Sequence, residues 1–400
     1  MQKFTCGEQA AQYFEGLYGK KTLPQLKRYE NLVRRFRKKY NADYCYLASS
    51  SGRVELIGNH TDHNGGKVAA CAVNLDIVAA FLPADKVEIS GDNYRDICFA
   101  PQEAKNVQSG STGMVKGVMH ALSSWGKNTG GFVACVSSVL PSGSGLSSSA
   151  AFQLLTAAVQ DSLYNGGEVD AVTLAKAGQY AENVYFRKPC GLLDQAVIAI
   201  GGAVKADFSC GQFTSFDMGN LQPIVINTGK SHASLTQQYA AIPQEMAAVA
   251  AYFGKEKLCQ VEEKDFFDAF REVVRHTGER PALRARHFFT ENRRVEQFCD
   301  AAQRGHTQHM LQLLDESGES SRRDLQNCGS AKDAIVQALR FCKQTCPQCA
   351  CRVHGGGFGG TVLAIAPPEH REALYNSAVE KFGAENVFRL TLRRRGATVL

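Results

Sequence analysis

Fifteen consecutive residues, Gly52-Arg-Val-Glu-Leu-Ile-Gly-Asn-His-Thr-Asp-His-Asn-Gly-Gly66, constrain this chain more than any other feature. They hold an arginine, two imidazoles, two carboxylates and four glycines. Glycine lets a backbone turn tightly and approach a ligand closely. Val54 to Ile57 alternate as a half-buried strand does, and Asn-Gly-Gly is a turn signal. The polar side chains are therefore expected at a strand end and in the loop after it, where sites are usually built. A plain surface loop accounts for the glycines but not for so many hydrogen-bonding groups.

The rest of the composition excludes several classes. Four hundred residues suit two domains better than one. Contents of 44% hydrophobic and 21% charged residues are those of a globular chain. No apolar run reaches the roughly 18 residues of a membrane span, and the first residues lack the apolar stretch of a signal peptide. A cytosolic protein with no membrane partner is expected. The formal charge of +6 is modest, and the basic run Arg34–Lys39 has no nucleic-acid motif beside it. A solvated helix face is the reading for that run, and a net positive chain helps attract an anionic nucleotide.

Apolar spacing predicts helix over residues 11–40 and strands around Tyr44–Ala48, Val68–Phe81 and Lys86–Ser90. A helix over Gly113–Trp125 and a strand over Gly131–Val139 follow. The next segment, Pro141-Ser-Gly-Ser-Gly-Leu-Ser-Ser-Ser-Ala150, enters a long apolar helix. A helix over Thr173–Tyr185 comes next. From Pro223 strands and helices alternate anew, with helices near Ser234–Phe253, Lys264–Val274, Leu283–Arg304, Thr307–Ser317 and Ala331–Lys343. Strands Cys351–Val353 and Val362–Ala366 flank a glycine loop.

Pro141–Ala150 joins a strand to a helix. Its glycines allow a tight backbone, and the helix start offers unpaired N–H groups and a positive dipole end, together an anion cradle. The serines can cap the helix, donate to phosphate or ligate Mg²⁺. Four cysteines, Cys342, Cys346, Cys349 and Cys351, fall within ten residues. Reduced structural thiols are the first reading; a metal knuckle is the second, because the four divide between a helix end and a strand.

These segments resemble the GHMP small-molecule kinases, the superfamily of galacto-, homoserine, mevalonate and phosphomevalonate kinases. Gly52–Gly66 matches the galactokinase signature at twelve of fifteen positions. It departs at Glu55, where the family usually has Asn, at Asn59, where it has Glu, and at His63, where it has Tyr. Pro141–Ala150 resembles the superfamily phosphate loop, and His354-Gly-Gly-Gly-Phe-Gly-Gly360 its third motif, with His354 where Thr or Ser is usual. The resemblance implies an α+β, two-domain architecture: an N-terminal ribosomal-S5-like α/β domain over residues 1–215 and a C-terminal ferredoxin-like α/β domain over 216–400.

It also implies roles. Asp194, in Pro189-Cys-Gly-Leu-Leu-Asp-Gln195, corresponds to the catalytic aspartate, with Arg53 as its partner. Glu182 and Ser148 correspond to the Mg²⁺ ligands. Asn59, His60, Asp62, Gly191 and Tyr239 correspond to sugar-contacting positions. Tyr239 is placed by its spacing of seven from Asn227-Thr-Gly-Lys-Ser-His232. Pro141, Gly143, Ser144, Gly145, Leu146, Ser147, Ser148, Ser149, Ala150, Gly356 and Gly357 would cradle ATP.

The implied reaction is transfer of phosphate from ATP to the C1 hydroxyl of D-galactose. A glutamate at position 59 contacts the sugar's primary hydroxyl in the family. Asn59 would tolerate a carboxylate at C6 or a pentose, so a 1-kinase for galacturonate, L-arabinose or N-acetylgalactosamine is the alternative. A non-catalytic sugar sensor on the same fold is the other. The partners are a small sugar and ATP, and a monomer or weak homodimer is expected.

Overall fold

The computed structural model describes residues 1–19, 23–91, 95–141, 143–187, 190–229, 236–358 and 360–400. Its strands are β1 (Tyr46–Ile57), β2 (Lys67–Pro83), β3 (Val87–Gly91), β4 (Ile97–Phe99), β5 (Phe132–Ser138), β6 (Ala203–Asp207), β7 (Gln212–Phe216), β8 (Ile224–Asn227), β9 (Ala350–His354), β10 (Thr361–Ile365), β11 (Val387–Arg389) and β12 (Thr398–Val399). Its helices in the first half are α1 (Ala11–Tyr18), α2 (Leu23–Tyr40), α3 (Gly110–Ser124), α4 (Ser148–Tyr164), α5 (Ala171–Tyr180) and α6 (Leu193–Ile200). In the second half they are α7 (Thr236–Tyr252), α8 (Glu263–Asp268), α9 (Phe270–Thr277), α10 (Glu279–Gln303), α11 (Thr307–Ser320), α12 (Ala334–Thr345) and α13 (Arg371–Phe382).

Two sheets organise these elements. The first runs β12-β1-β2-β5-β3-β4, with β6 on β2 and β7 on β6; the second runs β11-β8-β10-β9. Alternation along β2 decides which helices cover which face. Ile77, Ala79 and Phe81 join the core shared with α3 and α4, whereas Val78 and Ala80 face α1 and α2. Nearer its start, Val68, Ala70 and Ala72 pack on Leu193 and Val197 of α6. In the second sheet, Ile224, Ile226, Val362 and Ala364 pack with residues of α12 and α13. The chain ends by pairing β12 with β1, Ala48 opposite Val399.

Several predicted helices are interrupted for local reasons. The expected helix over 11–40 stops at Tyr18, because Gly19 takes φ +71. Lys264–Val274 divides at Ala269, whose φ −89 and ψ 5 are not helical. Thr173–Tyr185 is α-helical to Tyr180 and then π-helical over Ala181–Tyr185. The strand expected at Tyr44–Ala48 is longer than its apolar pattern, running to Ile57 through the glycine-rich segment. The predicted start of α7 at Ser234, like Ser142, Lys188, Pro189, Lys230, Ser231, His232 and Gly359, lies outside the described residues. Among the described residues no helix is long and apolar enough to cross a membrane.

The four clustered cysteines sit in the second sheet's core, between 0% and 7% exposed. Burial pushes the Cys342 thiol up, so it is held protonated as a small apolar side chain.

Candidate active site

Strand β1 delivers Arg53 and Glu55 from the same face, since residues two apart on a strand share a side. Arg53 forks onto Asp194, Nε to Oδ1 at 2.7 Å and Nη2 to Oδ2 at 2.9 Å. Its third nitrogen, Nη1, donates to the Gly145 carbonyl. Bidentate guanidinium–carboxylate pairing fixes orientation as well as charge. Ser147 Oγ also donates to Asp194 Oδ2. Each carboxylate oxygen carries two lone pairs. Oδ2 thus has both engaged, and Oδ1 keeps one for another donor.

Asp194 lies in the first turn of α6, and Ser147 is the N-cap of α4. Because its hydroxyl is committed to Asp194, Ser147 makes no side-chain cap on α4. The amides of the first α4 turn therefore keep their donors for an anion. The loop before them is braced from within. The buried Ser144 donates from Oγ to the Pro141 carbonyl at 2.8 Å, and the Leu146 carbonyl accepts from Arg53 N at 3.1 Å. Gly145 takes φ +71, and a Cβ there would lie 2.9 Å from Thr361 Oγ1 and 3.2 Å from His354 Nδ1.

Residues 58–66 are the floor of the site, and α10 clamps them. His287 Nε2 donates to the Asn59 carbonyl at 2.9 Å, and Glu291 accepts from Gly58 N at 3.0 Å. Asn292 Oδ1 accepts from Lys67 N at 2.8 Å. His60 donates from Nε2 to the Gly356 carbonyl at 2.9 Å, which leaves Nδ1 as an acceptor. Burial, with His63 nearby, holds the His60 ring down at about 3, so it is neutral. The Tyr239 ring stands edge-on to His60, centroids 5.1 Å apart. Tyr239 is 41% exposed as a residue, but desolvation of its phenol at the cavity and the carboxylates of Asp62, Asp194 and Glu55 push the phenol up, keeping it a donor.

One polar cavity gathers most of the predicted site. Arg53, Asn59, His60, Asp62, Ser149, Ala150, Glu182, Gly191, Asp194, Tyr239 and Gly356 line it, with Glu55 and Gln195. An adjoining apolar cavity is lined by Ile77, Ile89, Ile97, Met114, Val136 and Phe152, with Arg95, Ser111, Ser148 and Ser149. Ser149 belongs to both. Of the two predicted metal ligands, Glu182 lines the first cavity and Ser148 the second. Glu182 is presented by the π-helical turn and takes the Gln153 amide. Among the described residues no group of three or more His, Cys, Asp or Glu forms a metal cage. Pro141, Gly143, Ser144, Gly145, Leu146, Ser147 and Gly357 line neither of these two cavities; a Cβ on Gly357 would meet the Asn327 carbonyl at 2.4 Å.

The third glycine motif differs from expectation at its first residue. His354 is buried, with Nε2 accepting from Glu55 N at 3.2 Å and Nδ1 3.1 Å from Thr361 Oγ1. An amide can only donate, so the proton sits on Nδ1. His354 ties β1 to the β9–β10 hairpin. Sequence reasoning missed His287, Glu291, Asn292, Asn327 and Arg352 altogether. Only Arg352 carried a signal, a charge in a strand whose five residues are all buried.

Known proteins share parts of this sequence and the fold that carries it. Residues 34–83 match the galactokinase galactose-binding signature, and residues 113–202 match the GHMP kinases N terminal domain. The galactokinase of Lactococcus lactis, solved in complex with galactose, superposes with a TM-score of 0.79. It is 24% identical, over 92% of this chain and 98% of its own. Methanococcus jannaschii mevalonate kinase superposes at 0.62, with 16% identity over 86% of this chain and 98% of its own. Streptococcus pneumoniae phosphomevalonate kinase, in complex with phosphomevalonate and AMPPNP, gives 0.59, with 14% identity over 86% and 98%.

The two-sheet α+β fold is the one these kinases share, and the two matched segments carry galactokinase-signature and GHMP-kinase sequence. The matched segments and the fold together support an ATP-dependent sugar kinase.

Proposed function

We propose that this kinase transfers the γ-phosphate of ATP to the C1 hydroxyl of D-galactose. The observation that carries the reading is the Arg53–Asp194 fork beside the open α4 terminus, on the wall of a cavity rich in hydrogen-bonding groups. A sugar hydroxyl both donates and accepts, and this cavity offers both partners: Tyr239 as donor, the His60 ring and Asp62 as acceptors. The match to a galactose-binding signature supports galactose among sugars.

In the proposed reaction the C1 hydroxyl donates to the remaining lone pair of Asp194 Oδ1. The C1 oxygen attacks the γ-phosphorus, the bond to the bridging oxygen breaks, ADP leaves and the proton passes to Asp194. Arg53 holds that carboxylate in place through its two-pronged hydrogen bond until the transfer. The α4 amides hold phosphate oxygens, and the apolar cavity takes the nucleobase. The side chains that would reach a metal, Glu182, Ser148 and Ser149, offer only oxygen, a set that suits Mg²⁺ completed by phosphates and water. Glu182 with Ser148 or Ser149 would hold it, and it would neutralise phosphate charge.

ADP release with Mg-ATP, measured against galactose, galacturonate, arabinose, N-acetylgalactosamine and glucose, tests the substrate. Galactose is expected to be preferred. The exchanged Glu55 and Asn59 favour a related sugar as the second reading, and a different winner in this panel would establish it. Binding of galactose without turnover would establish a sensor. Asp194→Ala is expected to abolish turnover while ATP binding stays near wild type; retained turnover would remove Asp194 from the base role.

A further inference from the structure

Asn59, which the resemblance placed among the sugar-contacting positions, has no proton to offer. Its Nδ2 donates to Glu55 Oε1 at 2.8 Å and to the Gly355 carbonyl at 2.9 Å. Its Oδ1 accepts from Asn327 Nδ2 at 2.7 Å, and the residue is 1% exposed. Asn59 is a bracket between three segments. The carboxylate it holds is a different matter.

Glu55 is only 7% exposed and lines the polar cavity. Its two partners, Asn59 Nδ2 and Arg352 Nη2 at 3.1 Å, both reach Oε1. Among the described residues no group donates to Oε2. Arg352 is itself 1% exposed and held by the Leu56 carbonyl at 2.7 Å, so it is a fixed counter-charge behind the glutamate. A buried carboxylate anchored through one oxygen, with the other unengaged on a cavity wall, is an acceptor waiting for a ligand donor.

Position then selects which donor. Arg53 and Glu55 share a face of β1, and same-face neighbours on a strand lie roughly 6.6 Å apart, about the reach across a pyranose ring. With the anomeric hydroxyl at Asp194, Glu55 meets the opposite edge of the sugar. We propose that Glu55 is a specificity-determining residue of the sugar pocket, accepting a hydrogen bond through Oε2 from a hydroxyl on the edge remote from C1. A sugar with a carboxylate on that edge brings acceptor against acceptor and is excluded. The inference rests on the sugar-kinase reading of the cavity. It also reverses what Asn59 alone suggested, since the exchange of Asn and Glu keeps a carboxylate in the pocket.

The test is the kinetics of the wild type, Glu55→Gln and the exchange variant Glu55→Asn/Asn59→Glu on galactose and galacturonate, with thermal unfolding and ATP binding on each. In the wild type galactose is expected to be used at least tenfold better than galacturonate. Glu55→Gln is expected to raise the galactose KM about tenfold or more, with kcat within about threefold and the preference over galacturonate narrowed. The exchange variant, which returns a carboxylate from the neighbouring position, is expected to recover galactose affinity relative to Glu55→Gln. A wild type that uses galacturonate as well as galactose overturns the proposal without any variant. So does a folded Glu55→Gln with unchanged KM and unchanged sugar ranking. A wild type that phosphorylates no sugar instead sinks the sugar-kinase substrate reading, and this proposal with it.

Discussion

Gly191 shows how a single residue can be fixed by its neighbour. A Cβ built on it would lie 2.2 Å from Asp62 Oδ2, so the Asp62 carboxylate stands in the space a side chain would fill. Gly191→Ala must therefore push that carboxylate off the cavity wall. The expected outcome is a sugar KM raised about tenfold or more, the loss of one charged hydrogen bond, with Tm nearly unchanged because the surrounding loop is only half-buried. Steady-state kinetics beside a melting curve checks it, and an unaltered KM would take Asp62 out of the sugar's reach. The sequence could suggest Gly191 and Asp62 as members of one site but not that they touch. Arg53 and Asp194 were legible as partners only through the resemblance, because each lies in a segment that matches a family motif. His287 and Asn327 were not, because one serves a main-chain carbonyl and the other an amide side chain more than 200 residues away. Nothing in their own neighbourhoods announces that.

At the scale of elements, apolar periodicity found most helices and strands but not the irregularities that build the site. The π-helical turn carrying Glu182 has the same apolar spacing as the helix before it. β1 reads as two pieces because Ser49, Ser50 and Ser51 interrupt its apolar pattern, yet all three are buried in the paired strand. The start of α4 is the sharpest case. Ser147 takes φ 60, a left-handed conformation that costs a non-glycine residue about 1 kcal/mol. What that conformation achieves is the hydrogen bond from Ser147 to Asp194. Ser147→Gly should separate the two. Stability is expected to hold or rise by up to about 1 kcal/mol, as the strained φ suits glycine. kcat is expected to fall about tenfold, as Asp194 loses a charge-assisted donor. Denaturant unfolding with kinetics on the same sample decides it. Parallel loss of stability and rate would mean that Ser147 holds the fold rather than the carboxylate.

Across the whole molecule, the two sheets meet through buried groups that are neutral or paired, and this sets how the protein responds to acid. His60 at the site floor, His287 on α10 and His354 at the end of β9 are all buried, and burial lowers each ring below its ordinary value, His60 to about 3. Unfolding exposes them to water, where histidine titrates near 6.5. Above that value neither state binds these protons. Below it the unfolded chain takes up three that the native chain refuses, so stability falls as pH falls. Each fully linked proton contributes a slope of about 1.4 kcal/mol per pH unit, and three approach about 4. Glu291 adds a second window. Burial, the largest single effect, would raise its carboxyl, but Arg294, Arg352, the Ser317 hydroxyl and its other neighbours together outweigh that and hold it at about 2, so its contribution is lost from 4.5 downward. The expected outcome is a Tm that drops progressively between pH 7 and pH 5 and more steeply below 4.5. Calorimetry in buffers of different ionisation enthalpy should show proton uptake on unfolding that grows as the pH falls from 7 to 5. His354→Asn, which cannot titrate, should lower that uptake by about one. A Tm independent of pH from 7 to 5 would mean that these rings do not share the neutral, buried state that joins the two halves of the site.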